Sequence, residues 1–236
     1  MIKAIFFDLD GTLLPMDLNV FLKSYMGAMA KYLAPHGYDP DTFIRSMWTS
    51  FEAMMKNDGT RTNEEVFFTC FSEAVGKDAR ADVPIFEQFY TEEFDKIRAV
   101  CGYNPKAKAL IDELKKYPVI TVLATSPVYP VAATHARIRW AGLCPEDFAY
   151  ITTYENSTFT KPNPEYYRDL AKKLSLEPCE CLMIGNDTRD DLPAREVGMS
   201  VFLLTDDLLN RDGIDISDIP KGDYEELCEF LKSALN

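Results

Sequence analysis

Positive charge is what this chain has least of. Its 236 residues carry 25 Lys and Arg against 38 Asp and Glu, a formal net charge of -13. Nucleic acids and anionic membrane surfaces are bound by concentrated basic side chains that displace counterions, so neither is expected as a partner. Long apolar runs are missing too. The first one, Ile2 to Phe7, falls far short of the ~20 residues a membrane span needs. No basic segment followed by an apolar stretch and a cleavage site opens the chain. The six cysteines are scattered, and the close pair Cys179 and Cys181 forms C-x-C inside an apolar run rather than a metal-type C-x-x-C. Buried, reduced thiols and a cytoplasmic setting are the expectation. Internal repeats and low-complexity segments are absent, and 47% hydrophobic residues suffice for an α/β core with an added module.

What is present is a rhythm. Ile2 to Phe7 is short, apolar and rich in β-formers, and it stops abruptly at Asp8. Similar runs recur at Val119 to Ala124, Ala149 to Thr153, Cys181 to Ile184 and Val201 to Leu204, which predicts about five buried strands. Amphipathic stretches at Lys106 to Lys116, Tyr129 to Trp140, Pro164 to Leu174 and Asp190 to Val197 separate the later runs. Strand alternating with helix implies parallel strands joined by right-handed crossovers. The expected fold class is therefore α/β, a doubly wound, Rossmann-like sheet whose ligands bind at the carboxyl ends of the strands.

Residues from Asp17 to Cys101 break this rhythm, with helical patterns and no convincing strand. Phe43, Ile44, Met47, Trp48, Phe51, Met54 and Met55 make an apolar face at helical spacing after the caps Asp39 and Asp41. Thr62-Asn63-Glu64-Glu65 fits a capping box. The reading is an inserted bundle of about four helices, residues 17–101, in a core built from 1–16 and 102–236. The Met and aromatic content of the insert is read as helix packing, with pocket lining as the alternative. His36, Arg45, Lys56 and Arg61 are read as solvated surface.

The chemistry starts at Asp8-Leu9-Asp10-Gly11-Thr12-Leu13. Two carboxylates two residues apart at a strand end can face one way and share a cation, while Gly11 permits a sharp backbone exit. A lone D-x-D says little. Placed after an N-terminal apolar strand and followed by Gly-Thr, it resembles the first motif of the haloacid dehalogenase superfamily of hydrolases. The later motifs of that superfamily have counterparts at later strand ends. Thr125 closes a strand, although Ser126-Pro127 follows where Asn often stands in the family. Lys161 sits in Thr160-Lys161-Pro162-Asn163-Pro164 just ahead of a helix, and Gly185-Asn186-Asp187-Thr188-Arg189-Asp190-Asp191 follows the fourth run. The family commonly has Gly-Asp at this last place. Either Asn186 or Asp187 therefore takes the metal-ligand position, with a preference for the Asp187 carboxylate, and Asp191 takes the second acidic place.

The resemblance implies a division of labour. Asp8 would be the nucleophile and carry an aspartyl phosphate. Asp10 would protonate the leaving alcohol and then deprotonate water. Thr125 would donate its hydroxyl to a phosphoryl oxygen, Lys161 would neutralise the nucleophile and the phosphate, and Asp191 would complete the acidic set. An all-oxygen donor set suits Mg2+ rather than zinc. The resemblance adds that one Asp8 oxygen and the Asp10 backbone carbonyl are metal ligands, joined by Asp187 or Asn186. It also places a cap domain where the helical insert lies. A phosphatase acting on a small phosphorylated metabolite follows, with a phosphomutase as the near alternative and a phospho-accepting signalling domain as one from another class.

Overall fold

In the computed structural model, which describes residues 1 to 235, the apolar runs pair into one sheet. Its strands are β1 (Ala4–Phe7), β2 (Ile120–Leu123), β3 (Tyr150–Ile151), β4 (Cys181–Gly185), β5 (Ser200–Leu204) and β6 (Lys221–Gly222). The order is β3-β2-β1-β4-β5-β6, and every adjacent pair is parallel. Ala4 stands opposite Ile120 on one side and Cys181 on the other, so β1 is central and its ladder is satisfied on both edges.

Side chains alternate across the sheet with period two. Ile5, Phe7, Leu123, Leu182, Ile184 and Phe202 enter one apolar core, while Ala4, Phe6, Val122, Met183, Val201 and Leu203 enter a second beneath the opposite face. Both faces are buried, which is why these strands read as continuous apolar runs rather than as alternating ones.

The insert is helical, as expected, with α1 (Leu18–Leu33), α2 (Pro40–Met55), α3 (Asn63–Val75) and α4 (Val83–Glu92), followed by a 3-10 stretch at Phe94–Val100. Each start has a chemical cause. Asp17 accepts from the Asn19 and Val20 amides, Asp39 from that of Thr42, and Thr62 and Glu65 complete the capping box. The insert's interior is aromatic. Phe67 and Phe71 stack at 5.3 Å between centroids, and Tyr25 meets Phe94 edge-on at 5.7 Å. Fully buried Asn63 ties α3 to the sheet module, donating to the Pro127 carbonyl at 3.1 Å and the Phe159 carbonyl at 3.2 Å.

The remaining helices are α5 (Pro105–Leu114), α6 (Val131–Trp140), α7 (Pro164–Lys173), α8 (Thr188–Asp191) and α9 (Tyr224–Leu235). Several boundaries correct the sequence reading. The sheet has six strands, because the two-residue β6 contains a glycine and has no apolar run to announce it. The helix expected at Asp190 to Val197 begins earlier, at Thr188, and continues as a 3-10 stretch from Leu192, where Pro193 lacks an N–H. The cysteines are free, as expected, but only Cys181 is buried, and Cys144 and Cys179 are exposed. Among the described residues no helix is long and apolar enough to cross a membrane.

Candidate active site

The strand order fixes where a site can form. After β1 the chain winds to one side through β2 and β3, then returns to build β4, β5 and β6 on the other, so the carboxyl ends of β1 and β4 flank the switch point. A cavity of about 380 Å3 opens there, and every site residue nominated from the sequence lines it: Asp8, Asp10, Thr125, Lys161, Asn186, Asp187 and Asp191.

Asp8 follows β1 directly, its amide donating to the Ile184 carbonyl at 2.9 Å. Lys161, whose side chain is fully buried, donates to Asp8 Oδ1 at 2.8 Å and to Asp191 Oδ1 at 2.7 Å. Asp191 is wholly buried, and its Oδ2 accepts from the Asp187 amide at 3.0 Å. The lysine is thus clamped between two carboxylates. Burial alone would lower its proton affinity, but Asp191 and Asp8 outweigh it and hold the ammonium well above its ordinary range. For Asp8 burial wins. It pushes the carboxyl up to about 7; Lys161 opposes the rise, and Asp191 and Asp10 add to it. Asp190, on the same wall, is pushed up to about 6, chiefly by burial.

Asp10 has a different partner. Its Oδ2 is paired with the guanidinium of Arg137, a fully buried side chain of α6, and its Oδ1 is a buried oxygen without a hydrogen-bond partner. Arg137 lies over the Tyr129 ring at 4.2 Å. Gly11 has φ +84, and a Cβ there would overlap the Asn186 amide. Thr12 donates to Asn186 Oδ1 at 3.0 Å and only distantly, at 3.5 Å, to Asp8 Oδ2. Asp187 is the N-cap of α8: its Oδ1 accepts from the Arg189 amide at 2.8 Å, and its Oδ2 from Arg211 at 2.8 Å. Thr125 is buried at the end of β2, and its carbonyl accepts from Thr152 and Tyr166 at 2.7 Å and 3.0 Å.

A family model for hydrolases, haloacid dehalogenase-like hydrolase, matches residues 2–198. The chain belongs to this family. Within the haloacid dehalogenase-like hydrolases its relatives include hexitol phosphatase A of Escherichia coli (strain K12), 31% identical over 81% of this chain and 76% of that one. YhcW of Bacillus subtilis (strain 168), a protein provisionally named a phosphatase, is 26% identical over 86% of this chain and 84% of its own. The 2-haloacid dehalogenase of Pseudomonas syringae pv. Tomato DC3000 shares the fold at a TM-score of 0.60 and 18% identity, covering 99% of this chain and 100% of that one. Relatives in sequence are thus named for phosphatases, while several neighbours in fold are named for dehalogenases.

Two residues that matter in this haloacid dehalogenase-like hydrolase escaped the sequence reading. Arg137 was hidden in an amphipathic pattern, although a cation among Ala133, Ala136, Ile138 and Trp140, all buried, has to be answered by an anion elsewhere. Thr12 was read as part of a motif, not as the hydroxyl joining Asn186 to the neighbourhood of Asp8. His36, Arg45, Lys56 and Arg61 are exposed, as expected.

Proposed function

We propose that this chain is a Mg2+-dependent phosphatase of small phosphate monoesters that forms an aspartyl phosphate on Asp8. Residues 1–16 and 102–236 form its catalytic core and 17–101 its cap. The supporting observation is the unequal partnering of two carboxylates on one cavity. Asp8 is tied to Lys161 through Oδ1, and Asp10 is tied to Arg137 through Oδ2 with Oδ1 unpartnered. The relatives named for phosphatases point the same way.

The donor chemistry fits a hard divalent cation. Asp8, Asp10, Asp187, Asp190 and Asp191 line the cavity against Lys161, Arg137 and Arg211, an excess of negative charge that helps to push Asp8 upward. Among the described residues no three His, Cys, Asp or Glu side chains are grouped to hold a metal by themselves. The oxygens that would hold it are therefore of mixed kind: Asp8, the Asp10 carbonyl, Asp187 and Asn186. When bound, the cation would neutralise charge on the phosphoryl oxygens.

Asp8 Oδ2, the oxygen not bonded to Lys161, attacks phosphorus, and the bond from phosphorus to the ester oxygen breaks. Asp10 Oδ1 delivers the proton that turns the departing oxygen into an alcohol. A water molecule then gives a proton to Asp10 and its oxygen attacks the same phosphorus. The bond between phosphorus and Asp8 breaks, releasing inorganic phosphate and restoring both carboxyl groups. Lys161 stabilises the phosphoryl charge throughout, with Asp191 holding its ammonium in place, and the Thr125 hydroxyl donates to a phosphoryl oxygen.

The test is phosphate release from a panel of monoesters with Mg2+ and with a chelator, alongside Asp8→Asn and Asp10→Asn. Turnover should vanish without metal and in both variants, and wild type quenched during turnover should be heavier by one phosphoryl group where Asp8→Asn is not. Chloride release from a 2-haloacid, with no ester hydrolysed, would overturn the reading.

A further inference from the structure

The wall facing the carboxylates is chemically unlike them. Leu18 and Leu22 of α1, Trp48, Phe51 and Met55 of α2, and Tyr129 form most of it. Trp48, Phe51, Glu52 and Met55 follow the i, i+3, i+4, i+7 spacing of one helix face. Trp48 is 45% exposed and Met55 47%, although both are large and apolar. They sit at an opening that continues into the candidate active site, so they are not apolar surface scattered at random. The insert sends one charged side chain to this wall, the carboxylate of Glu52, and no cation.

We infer that the natural substrate is a phosphate monoester of an apolar, uncharged alcohol, aryl or branched alkyl in character. The inference rests on the phosphatase reading above and extends it to the leaving group. A leaving group with its own carboxylate or second phosphate would meet Glu52, whose one cation, Lys56 at 3.8 Å, is exposed and lies off the cavity wall. A polyol would lay most of its hydroxyls against Leu and Met side chains and ring faces, with too few polar groups (Glu52, Ser126, the Trp48 N–H) to pair them all, and unpaired polar groups are what such walls reject. An aromatic or branched alkyl group instead covers Trp48 and Met55 and stacks on rings already at the mouth.

The experiment compares kcat/KM with Mg2+ for phenyl phosphate, a hexitol 6-phosphate and glycolate 2-phosphate, in wild type, Trp48→Ala and Glu52→Lys. Ligand binding is measured separately, as quenching of Trp48 fluorescence by phenyl phosphate in Asp8→Asn. Phenyl phosphate should lead the other two on the order of 100-fold. Trp48→Ala should shrink that lead at least ~10-fold through KM, and Glu52→Lys should raise glycolate 2-phosphate relative to it. Preference for the hexitol or glycolate ester overturns the inference and leaves the phosphatase reading standing. Quenching by phenyl phosphate with no ester turned over by wild type overturns the phosphatase reading instead. Trp48 is exposed, so loss of fold does not confound its replacement.

Discussion

Asp8→Asn should abolish turnover and at the same time stabilise the protein near pH 8. Buried carboxylates are costly when ionised, and Asp8 illustrates the size of that cost. Its proton affinity rises from the ordinary 3.8 to about 7, first through burial, with Lys161 only partly compensating. A carboxyl raised in the folded state contributes its full share of stability below pH ~4 and loses it as the pH climbs through about 7. At 1.36 kcal/mol per pH unit the whole span is worth ~4 kcal/mol. Replacing the carboxylate by an amide of the same shape removes that cost. It also weakens the charge-assisted hydrogen bond from Lys161, worth ~1.5–3 kcal/mol, although Lys161 keeps Asp191. The net gain is ~1–3 kcal/mol, or a melting temperature higher by ~2–12 °C for a chain of this length. The assay is thermal unfolding of both proteins in chelator, near pH 8 and near pH 4. The gap should be present at the higher pH and close at the lower one. A variant that is less stable near pH 8, or a gap that does not change with pH, refutes the reasoning. Adding Mg2+ should narrow the gap, because a cation that binds only the folded wild type stabilises it by mass action.

Gly185→Ala places a Cβ on the Asp191 carboxylate, and the displaced carboxylate carries Lys161 with it. We expect kcat to fall on the order of 100-fold in steady-state phosphate release. Arg137→Met leaves Asp10 Oδ2 without its partner in a largely buried place, so the urea midpoint should move down by the equivalent of ~1–3 kcal/mol, and an unchanged midpoint would show the pair to be idle. Thr62→Ala removes half of a capping box on α3 and should cost ~1 kcal/mol in denaturant unfolding without altering turnover.

The sequence carried much of this because buried parallel strands have a plain signature. β1, β2, β4 and β5 are apolar on both faces, and each motif residue stands within a few positions of such a run or opens a helix after one. Lys161 and Asp8 lie 153 positions apart, yet both were legible, because each has its own local context. What the sequence hid was pairing. Nothing in the spacing of Asp10 and Arg137, 127 positions apart, announces that they meet, and α6, read from the sequence as amphipathic, is buried around most of its circumference rather than on one face. The same holds for Asn63, which reads as the first residue of a capped helix and turns out to fasten α3 to two carbonyls of the sheet module. The apolar face of α2 divides as well. Phe43, Met47 and Met54 are core, Phe51 is buried at the cavity wall, and Trp48 and Met55 line the opening, about 100° around the helix from their neighbours Met47 and Met54.

A chain with a net charge of -13 that is to take a phosphate must keep its few useful cations where water cannot dilute them. Lys161 and Arg137 have fully buried side chains, and the strand ends commit each to a different member of one D-x-D pair. The commitment is asymmetric at the level of atoms. Lys161 occupies Oδ1 of Asp8, while Arg137 occupies Oδ2 of Asp10 and leaves Oδ1 unpartnered. Two chemically identical side chains two residues apart are thereby made inequivalent before any substrate arrives, as the proposed roles of nucleophile and proton carrier on one cavity require. Exchanging the partners should expose this. In Arg137→Lys the charge beside Asp10 is retained, but the planar fork over Tyr129 is lost, so the fold should survive while Asp10 loses its fixed orientation. Aspartyl phosphate should then form and hydrolyse more slowly, and the two steps should slow together in single-turnover quench measurements, because in the proposed mechanism one oxygen of Asp10 serves both. Slowing confined to a single step would mean that the oxygen left open on Asp10 is not the one that moves the proton.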